Sequence, residues 1–480
     1  MKKIYKETFD SISASDEFKE NVKNGFAKKS IQKKRASRPK LPVWKKASLL
    51  SATAALLCIC IVVTAVLTSG GGPGGNQFGS VITNPNKGKQ HTAQLFATDN
   101  LLTEFDRIVT EGMVADETFR DAINKLSFQL TSALYEDGKN NLVSPMSIIF
   151  ALTMVENGAK GETLAQMEAL TGLPVLTLSA YLRGYSDALM LANTEDVSMN
   201  IANSVWFRRG EIDPKPEFLQ ACIDYFEAGI YSSAFDADTV KAVNDWVKTN
   251  TNGMIDKIID NFSGDTVMLL MNAVAFEGKW QTEFNSEGTQ EQTFRNADGT
   301  LSDVPFMNGS ADRYIGIEGG TGIVKYYDSS YAFAAILPDG DTSISELMAT
   351  ISSKGFHNIL GFEHDKITVS IPKFSYDFET GKTISALQGL GMTDAFGGGA
   401  NFNGIAGGLY ISNIIHKTHI EFDESGTKAA AVTAIIGTIT SVSPAKTSYH
   451  VTFDRPFVYA IYDTVTGIPV FIGVVNTMQA

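Results

Sequence analysis

The chain of 480 residues carries a formal net charge of −13, and 44% of its residues are hydrophobic. This length allows several domains or one large globular domain with appendages. Residues 1–46 hold 14 Lys and Arg against 5 Asp and Glu, so this head carries +9 and the remaining residues carry −22. An acidic body lacks the basic face that phosphate binding needs, so we expect no nucleic acid partner.

The first predicted element is a transmembrane helix over residues 47–68. These 22 residues carry no charge, and about 20 apolar residues cross the hydrocarbon core of a bilayer as a helix. Trp44, Lys45 and Lys46 precede the segment, as interfacial anchors do. We therefore expect a single-pass protein of the cell membrane, with residues 1–46 as a basic cytoplasmic segment and the body outside. Secretion after signal cleavage is the alternative, although a 46-residue leader is long for a signal peptide.

A Gly-rich linker follows over residues 69–91 and is expected to be flexible. The globular domain is predicted to occupy residues 92–480. Apolar residues at helical spacing predict a helix over 119–135, and Pro145 opens a second helix at its first position. Apolar runs predict the buried strands 204–207, 268–276, 332–337 and 367–371. Helices early in the domain and strands late indicate an α+β fold.

The sequence shows no catalytic constellation. Six histidines are present, but none lies in a His-Glu-x-x-His pattern, and neither a Cys-x-x-Cys pair nor a Gly-x-Ser-x-Gly elbow occurs. Of the three cysteines, Cys58 and Cys60 lie in the apolar run and Cys222 is alone in the body, so no disulfide is expected there. We expect neither enzymatic activity nor a metal or cofactor.

The run after the turn at Asp423–Gly426 is suited to two environments. Its first residues are mostly alanine, and from Val432 onward most are β-branched. Such a segment fits both an exposed loop and a buried strand. A hairpin between two ordinary strands is the simpler interpretation.

Together with motifs spread from about residue 118 to 480, this run resembles the serpin family, the serine protease inhibitors, in a prokaryotic, membrane-tethered form. The matching motifs are Asn141–Ser147, Gly158–Thr163, Asn244–Val247, Asn272–Trp280, Ile371–Phe374, Leu390–Phe396, Glu424–Ala431, Phe453–Tyr459 and Gly467–Asn476. The resemblance implies a serpin fold, in which helices pack around three β-sheets and a reactive loop is exposed.

The resemblance also implies a function. The protein would be a monomeric suicide-substrate inhibitor that forms a covalent acyl-enzyme with an extracellular serine protease and traps it by inserting the cleaved loop into the central sheet. A non-inhibitory serpin that acts as a surface binding module is the alternative, and an enzyme on this scaffold is a third.

The resemblance places the loop hinge at Glu424, Gly426, Thr427, Ala429, Ala430, Ala431 and Thr433. Every second side chain of an inserted strand packs inward. The alternate set that starts at Thr427 and ends at Ile435 is uncharged and mostly small, whereas Lys428 falls on the other face. This pattern favours an inhibitory serpin. Lys428 and the bulky Val432 depart from the family pattern, both on the outward face.

The reactive bond is placed at Thr440–Ser441 by the family spacing. The segment from Thr427 to Pro456 is five residues longer than a common serpin spacing, so the neighbours Thr438, Ile439, Ser441 and Val442 also stay possible as the attacked residue. Because no Lys or Arg lies between residues 428 and 446 and no aromatic residue lies between 422 and 449, the bait is suited to a small, elastase-like pocket.

Two further groups match serpin positions. Ser144, Ser147, Asn272 and His416 match a polar cluster beneath the centre of the sheet, which the family calls the shutter. Trp280 and Lys373 match the breach, where the loop first enters the sheet, and the resemblance implies an ion pair between Lys373 and Glu424. Isolated buried polar residues with local partners are the alternative for the first group.

Overall fold

The structure, a computed structural model, describes residues 112–253, 255–363, 366–427 and 448–478, together with the backbone of two strands upstream. The α-helices in this part of the chain are α1 (Glu117–Leu134), α2 (Pro145–Glu156), α3 (Gly161–Thr171), α4 (Val175–Leu191), α5 (Pro216–Phe226), α6 (Ala237–Asn250), α7 (Ile344–Lys354) and α8 (Thr383–Gly389).

The strands are β1 (Ala55–Ala65), β2 (Asp99–Asn100), β3 (Asn141–Val143), β4 (Val197–Arg208), β5 (Gly229–Ser233), β6 (Thr266–Lys279), β7 (Gln290–Arg295), β8 (Leu301–Ser310), β9 (Arg313–Ile317), β10 (Gly320–Tyr326), β11 (Tyr331–Pro338), β12 (Phe362–Glu363), β13 (Ile367–Pro372), β14 (Phe374–Thr380), β15 (Leu409–Phe422), β16 (Gly426–Thr427), β17 (Tyr449–Thr452), β18 (Phe457–Asp463) and β19 (Pro469–Val475).

These strands form three sheets. The central sheet has eight strands: β14 pairs with β15, β1 and β16 both lie between β15 and β6, and β4, β5 and β2 follow. A seven-stranded sheet has the order β12-β9-β10-β11-β18-β19-β3, and a four-stranded sheet has the order β17-β13-β8-β7. The α+β architecture with three sheets therefore agrees with the expectation.

The helices cover the central sheet on both faces. On one face α6 buries Val243 and Trp246 against residues of β4 and β6 such as Trp206 and Ala273. On the other face lies the main core, in which every residue of α2 is buried. Helix α2 begins where the sequence predicts: the Ser144 side chain accepts a hydrogen bond from the Ser147 N–H, and Pro145 is the first helical residue.

The structure differs from the expectation over Ala55–Ala65, which forms the strand β1 instead of part of a helix. Its backbone pairs antiparallel with both β6 and β15, which lie parallel to each other. The Ile, Val and Thr residues of the segment favour strand structure, and this position offers partners for its backbone groups on both edges. None of the described helices is both long and apolar enough to cross a membrane. The remainder of residues 47–68, the head 1–46 and the linker 69–91 lie outside the described residues.

Candidate functional site

The hinge enters the central sheet between the C-terminal ends of β6 and β15. In β16, Thr427 pairs with Phe422 of β15 and with Gly278 of β6. Thr427 is fully buried, and its hydroxyl lies 2.6 Å from the hydroxyl of Tyr327. A Cβ atom at Gly426 would overlap the carbonyl oxygen of Gly278, so only glycine allows this close approach of two backbones. The hinge residues Gly426 and Thr427 are therefore already paired as a strand.

An ion pair holds the residue before the hinge. Lys373 Nζ lies 2.8 Å from Glu424 Oε2, and Thr289 Oγ1 donates a 2.8 Å hydrogen bond to Glu424 Oε1. Burial raises the pKa of the Glu424 carboxyl, but the bonds from Lys373 and Thr289 outweigh burial and leave this pKa below its ordinary value. Glu424 is therefore charged at neutral pH and fixed at the entrance to the sheet.

Aromatic rings line the same entrance. Trp280 stacks on Tyr327 with ring centroids 4.4 Å apart, and its indole N–H donates to the Asp423 carbonyl at 3.0 Å. The ammonium of Lys325 lies 4.5 Å from the centroid of the Phe284 ring and donates to the Ser310 carbonyl at 3.1 Å. Burial lowers the pKa of Lys325 to about 8. The entrance is thus lined by aromatic rings, with one buried lysine beside them.

Sequence reasoning missed four residues of this entrance: Phe284, Thr289, Lys325 and Tyr327. The charge of Lys325 at the end of the buried run Gly322–Lys325 was a usable signal, since an almost fully buried lysine needs compensating partners. No local pattern marks Thr289 or Tyr327.

The four residues of the polar cluster are all fully buried: Asn272 and His416 lie in the sheet, and Ser144 and Ser147 lie beside them at the start of α2. The Ser147 hydroxyl donates to Asn272 Oδ1, and the Ser144 N–H donates to His416 Nε2 at 3.4 Å. Asn272 also donates to Asn203 Oδ1 at 2.8 Å, a partner that the sequence did not reveal. Burial lowers the pKa of His416 to about 3, so its ring is neutral and can accept this bond.

β1 separates the two sheet residues of this cluster. Ile59 pairs with Asn272 on β6 and with His416 on β15. The hydrogen-bonded connection between the two strands therefore bypasses β1 and runs through the hydroxyl and N–H groups of Ser147 and Ser144. At the centre of the sheet, β6 and β15 are therefore not paired with each other, and β1 lies between them.

The other loop residues lie outside the described part of the chain. These are the hinge residues Ala429, Ala430, Ala431 and Thr433 and the bond Thr440–Ser441. Their assignment stays a prediction from the resemblance.

Comparison with known proteins decides the family. The family model described as serpin (serine protease inhibitor) matches residues 121–478, which is most of the chain. The chain belongs to the serpin family. Serpins are in general inhibitors of serine proteases rather than catalysts.

Individual relatives agree over nearly their full lengths. An uncharacterised serpin-like protein of Thermococcus kodakarensis is 28% identical over 423 residues, covering 86% of this chain and 97% of that protein. Human neuroserpin is 28% identical over 394 residues, covering 77% of this chain and 94% of neuroserpin. The native-state structure of tengpin, a thermophilic serpin, superimposes with a TM-score of 0.73 at 38% identity and covers 79% of this serpin and all of tengpin.

Proposed function

We propose that this serpin is a suicide-substrate inhibitor of extracellular serine proteases, which it traps by inserting its cleaved loop between β6 and β15. The observation that carries the proposal is the paired hinge: Thr427 is buried between the two strands and has begun the path that the loop would follow. An inserted strand needs uncharged inward residues, and the alternate set from Thr427 to Ile435 meets this need.

The chemistry of trapping would follow from cleavage at Thr440–Ser441. The serine oxygen of the protease attacks the carbonyl carbon of Thr440 and forms an ester. The amide nitrogen of Ser441 leaves, takes the proton from the general base of the protease and becomes a new N-terminus. Insertion of the segment behind Thr427 then carries the acylated protease away from its productive geometry before water hydrolyses the ester.

The remaining features are proposed from the sequence. The Thr, Ile and Val residues around the bond support an elastase-like target, since a small pocket accepts them. The uncharged run 47–68 with its basic flank supports a membrane tether with the body outside the cell. Similarity to the Thermococcus kodakarensis protein supports the prokaryotic type. We propose that the protein is a monomer.

The test is incubation of the full chain in mild detergent with a panel of elastase-like, trypsin-like and chymotrypsin-like proteases. An adduct that survives boiling in dodecyl sulfate is expected with the elastase-like enzymes. Quantitative cleavage without adduct for every protease would refute the inhibitor and favour a substrate or a binding module.

One observation favours the second candidate, a non-inhibitory serpin that acts as a surface binding module. β1 already fills the position that an inhibitory loop needs. A serpin whose sheet is permanently filled could bind a partner but could not trap a protease.

A further inference from the structure

We propose that the position between β6 and β15 is a binding site for the chain's own segment Ala55–Ala65, and that this segment keeps the reactive loop out of the sheet while it is bound. The inference rests on the proposed inhibitory function, because it names what regulates loop insertion. It follows from the strand register on both sides of β1.

The register along β6 shows that β1 occupies the pairing positions that the loop would use if it continued past Thr427. Thr427 pairs with Gly278, and Ala55 pairs with Phe276, both in antiparallel orientation. If the loop continued past Thr427 by one residue per pair, Lys428 would reach Glu277 and Ala429 would reach Phe276. Ala55 therefore occupies the pairing position of Ala429, and only the position of Glu277 separates β1 from the end of β16 at Thr427.

The register along β15 leads independently to the same result. Thr427 pairs with Phe422, and Leu56 pairs with His419. Continuing the loop from Thr427 would bring Ala430 opposite His419. Both neighbours thus give the same correspondence, in which Leu56 stands where Ala430 would stand. The two segments run in the same direction and use the same pairing positions, so only one of them can be bound at a time.

β1 occupies the whole binding site. Ten residues of β1 are paired with β15 and ten with β6, so the inner edges of both strands are covered over this length. An inserting loop would have to displace these pairs before its own could form. Insertion competes with deacylation in time, so this displacement favours release of the cleaved inhibitor over trapping.

Ala55–Ala65 has a second possible environment, a membrane, which the reactive loop does not share. Ala55–Ala65 is the centre of the uncharged run 47–68, which is long enough to span a bilayer. Transfer of this run into a membrane would empty the position between β6 and β15. Anchoring would therefore raise the fraction of encounters that end in trapping, and the chain free of a membrane would form less adduct than the anchored chain.

The register supplies a cross-linking test on the full chain. Cys58 pairs with Ala273 of β6 and with Lys417 of β15. Directly opposed residues of antiparallel strands have Cα separations of about 4.5–5.5 Å, which a disulfide can bridge. The variants Ala273→Cys and Lys417→Cys should each form a disulfide with Cys58 on oxidation by copper(II)-phenanthroline and oxygen, as detected by peptide mass analysis.

The matched control is Ala275→Cys. Ala275 is as fully buried as Ala273 but pairs with Leu56, so its nearest cysteine partner, Cys58, is diagonal, about 7–8 Å away. No disulfide is expected. Failure of both Ala273→Cys and Lys417→Cys to cross-link in folded protein would overturn the proposal.

The functional readout is adduct with the elastase-like protease. Oxidised Ala273→Cys should be cleaved without adduct, whereas its reduced form and oxidised Ala275→Cys should both retain the adduct level of the unsubstituted chain. Full cross-linking with an unchanged adduct level would show that the segment does not compete, and would leave the inhibitor intact. Absence of adduct from every form would instead refute the proposed inhibitory function, while the cross-link would still report on the strand.

A second variant tests release of the segment. Proline lacks the N–H that an interior strand donates, so Ile59→Pro should empty the site and raise the adduct fraction, whereas Ser80→Pro in the linker should not. Reconstitution of the unsubstituted chain into phosphatidylcholine vesicles should raise the adduct fraction in the same way. An unchanged fraction in vesicles would refute the coupling to the membrane.

Discussion

At the scale of single residues, the proposed mechanism assigns recognition and trapping to different positions. In the proposed mechanism the protease pocket binds Thr440, whereas Thr427 is fully buried in the serpin, where its hydroxyl lies 2.6 Å from that of Tyr327. Substitutions at the two positions should therefore have different consequences.

Thr427→Arg should convert the inhibitor into a substrate. The variant would place an unpaired charge at the buried position that Thr427 already occupies between β6 and β15, at a cost of about 3–5 kcal/mol. The hinge would be expelled from the sheet, so insertion would slow and the acyl-enzyme would hydrolyse first. Cleavage rate and adduct fraction, measured together on a gel, should show unchanged cleavage and lost adduct. Thr427→Val, which keeps the shape, is the control. Trapping by Thr427→Arg at one-to-one stoichiometry would refute this role of the hinge.

His416 should make the central sheet sensitive to acid. Its pKa falls from 6.5 to about 3 on burial, so the folded protein resists a proton that the unfolded chain accepts. This contribution is constant above pH 6.5 and destabilises the fold progressively as the pH falls from 6.5 toward 3. Urea unfolding of the wild type and His416→Gln should show the wild type losing more stability over this interval. A difference between the two proteins that is independent of pH would contradict the assignment.

At the scale of elements, the sequence predicts what depends on local pattern. Ser144 and Pro145 mark the start of α2, and the apolar run near Met271 becomes the buried strand β6. The hinge position follows from the family motif. The location of Ala55–Ala65 could not be predicted, because an uncharged β-branched run is suited to a bilayer helix and to a central strand alike, and the choice depends on partners more than 200 residues away.

Helix α2 contains an acid that the apolar pattern conceals. Glu156 is fully buried, and neither carboxyl oxygen has a hydrogen-bond partner among the described residues. Burial, with a smaller contribution from Glu168, raises its pKa from 4.5 to about 8. The folded protein therefore keeps a proton that the unfolded chain has released, and its stability falls as the pH rises from 4.5 to about 8.

Glu156→Gln should remove this dependence. The variant should gain roughly 3 kcal/mol over the wild type at neutral pH and little at pH 4. Thermal unfolding across this range measures the difference, with the exposed Glu162→Gln as control. A gain that does not grow with pH would show that Glu156 is ionised in the folded state.

At the scale of the whole molecule, the chain has a basic N-terminal head and an acidic remainder. The head carries +9 and the remainder −22, on either side of the uncharged run 47–68. The basic side of a membrane protein stays in the cytoplasm. Protease added to intact cells should therefore remove the serpin body and leave residues 1–46 protected. Recovery of a body without its head from the medium would favour secretion, and a protected body would contradict the topology.

In the proposed mechanism the cleaved loop becomes a strand between β6 and β15. The most direct measurement is the melting temperature of the Ile59→Pro chain, in which this position should be empty, before and after cleavage at Thr440–Ser441. Insertion completes the sheet and releases a state that was held kinetically, so the cleaved protein should melt well above the intact one. Equal melting temperatures before and after complete cleavage would contradict the mechanism.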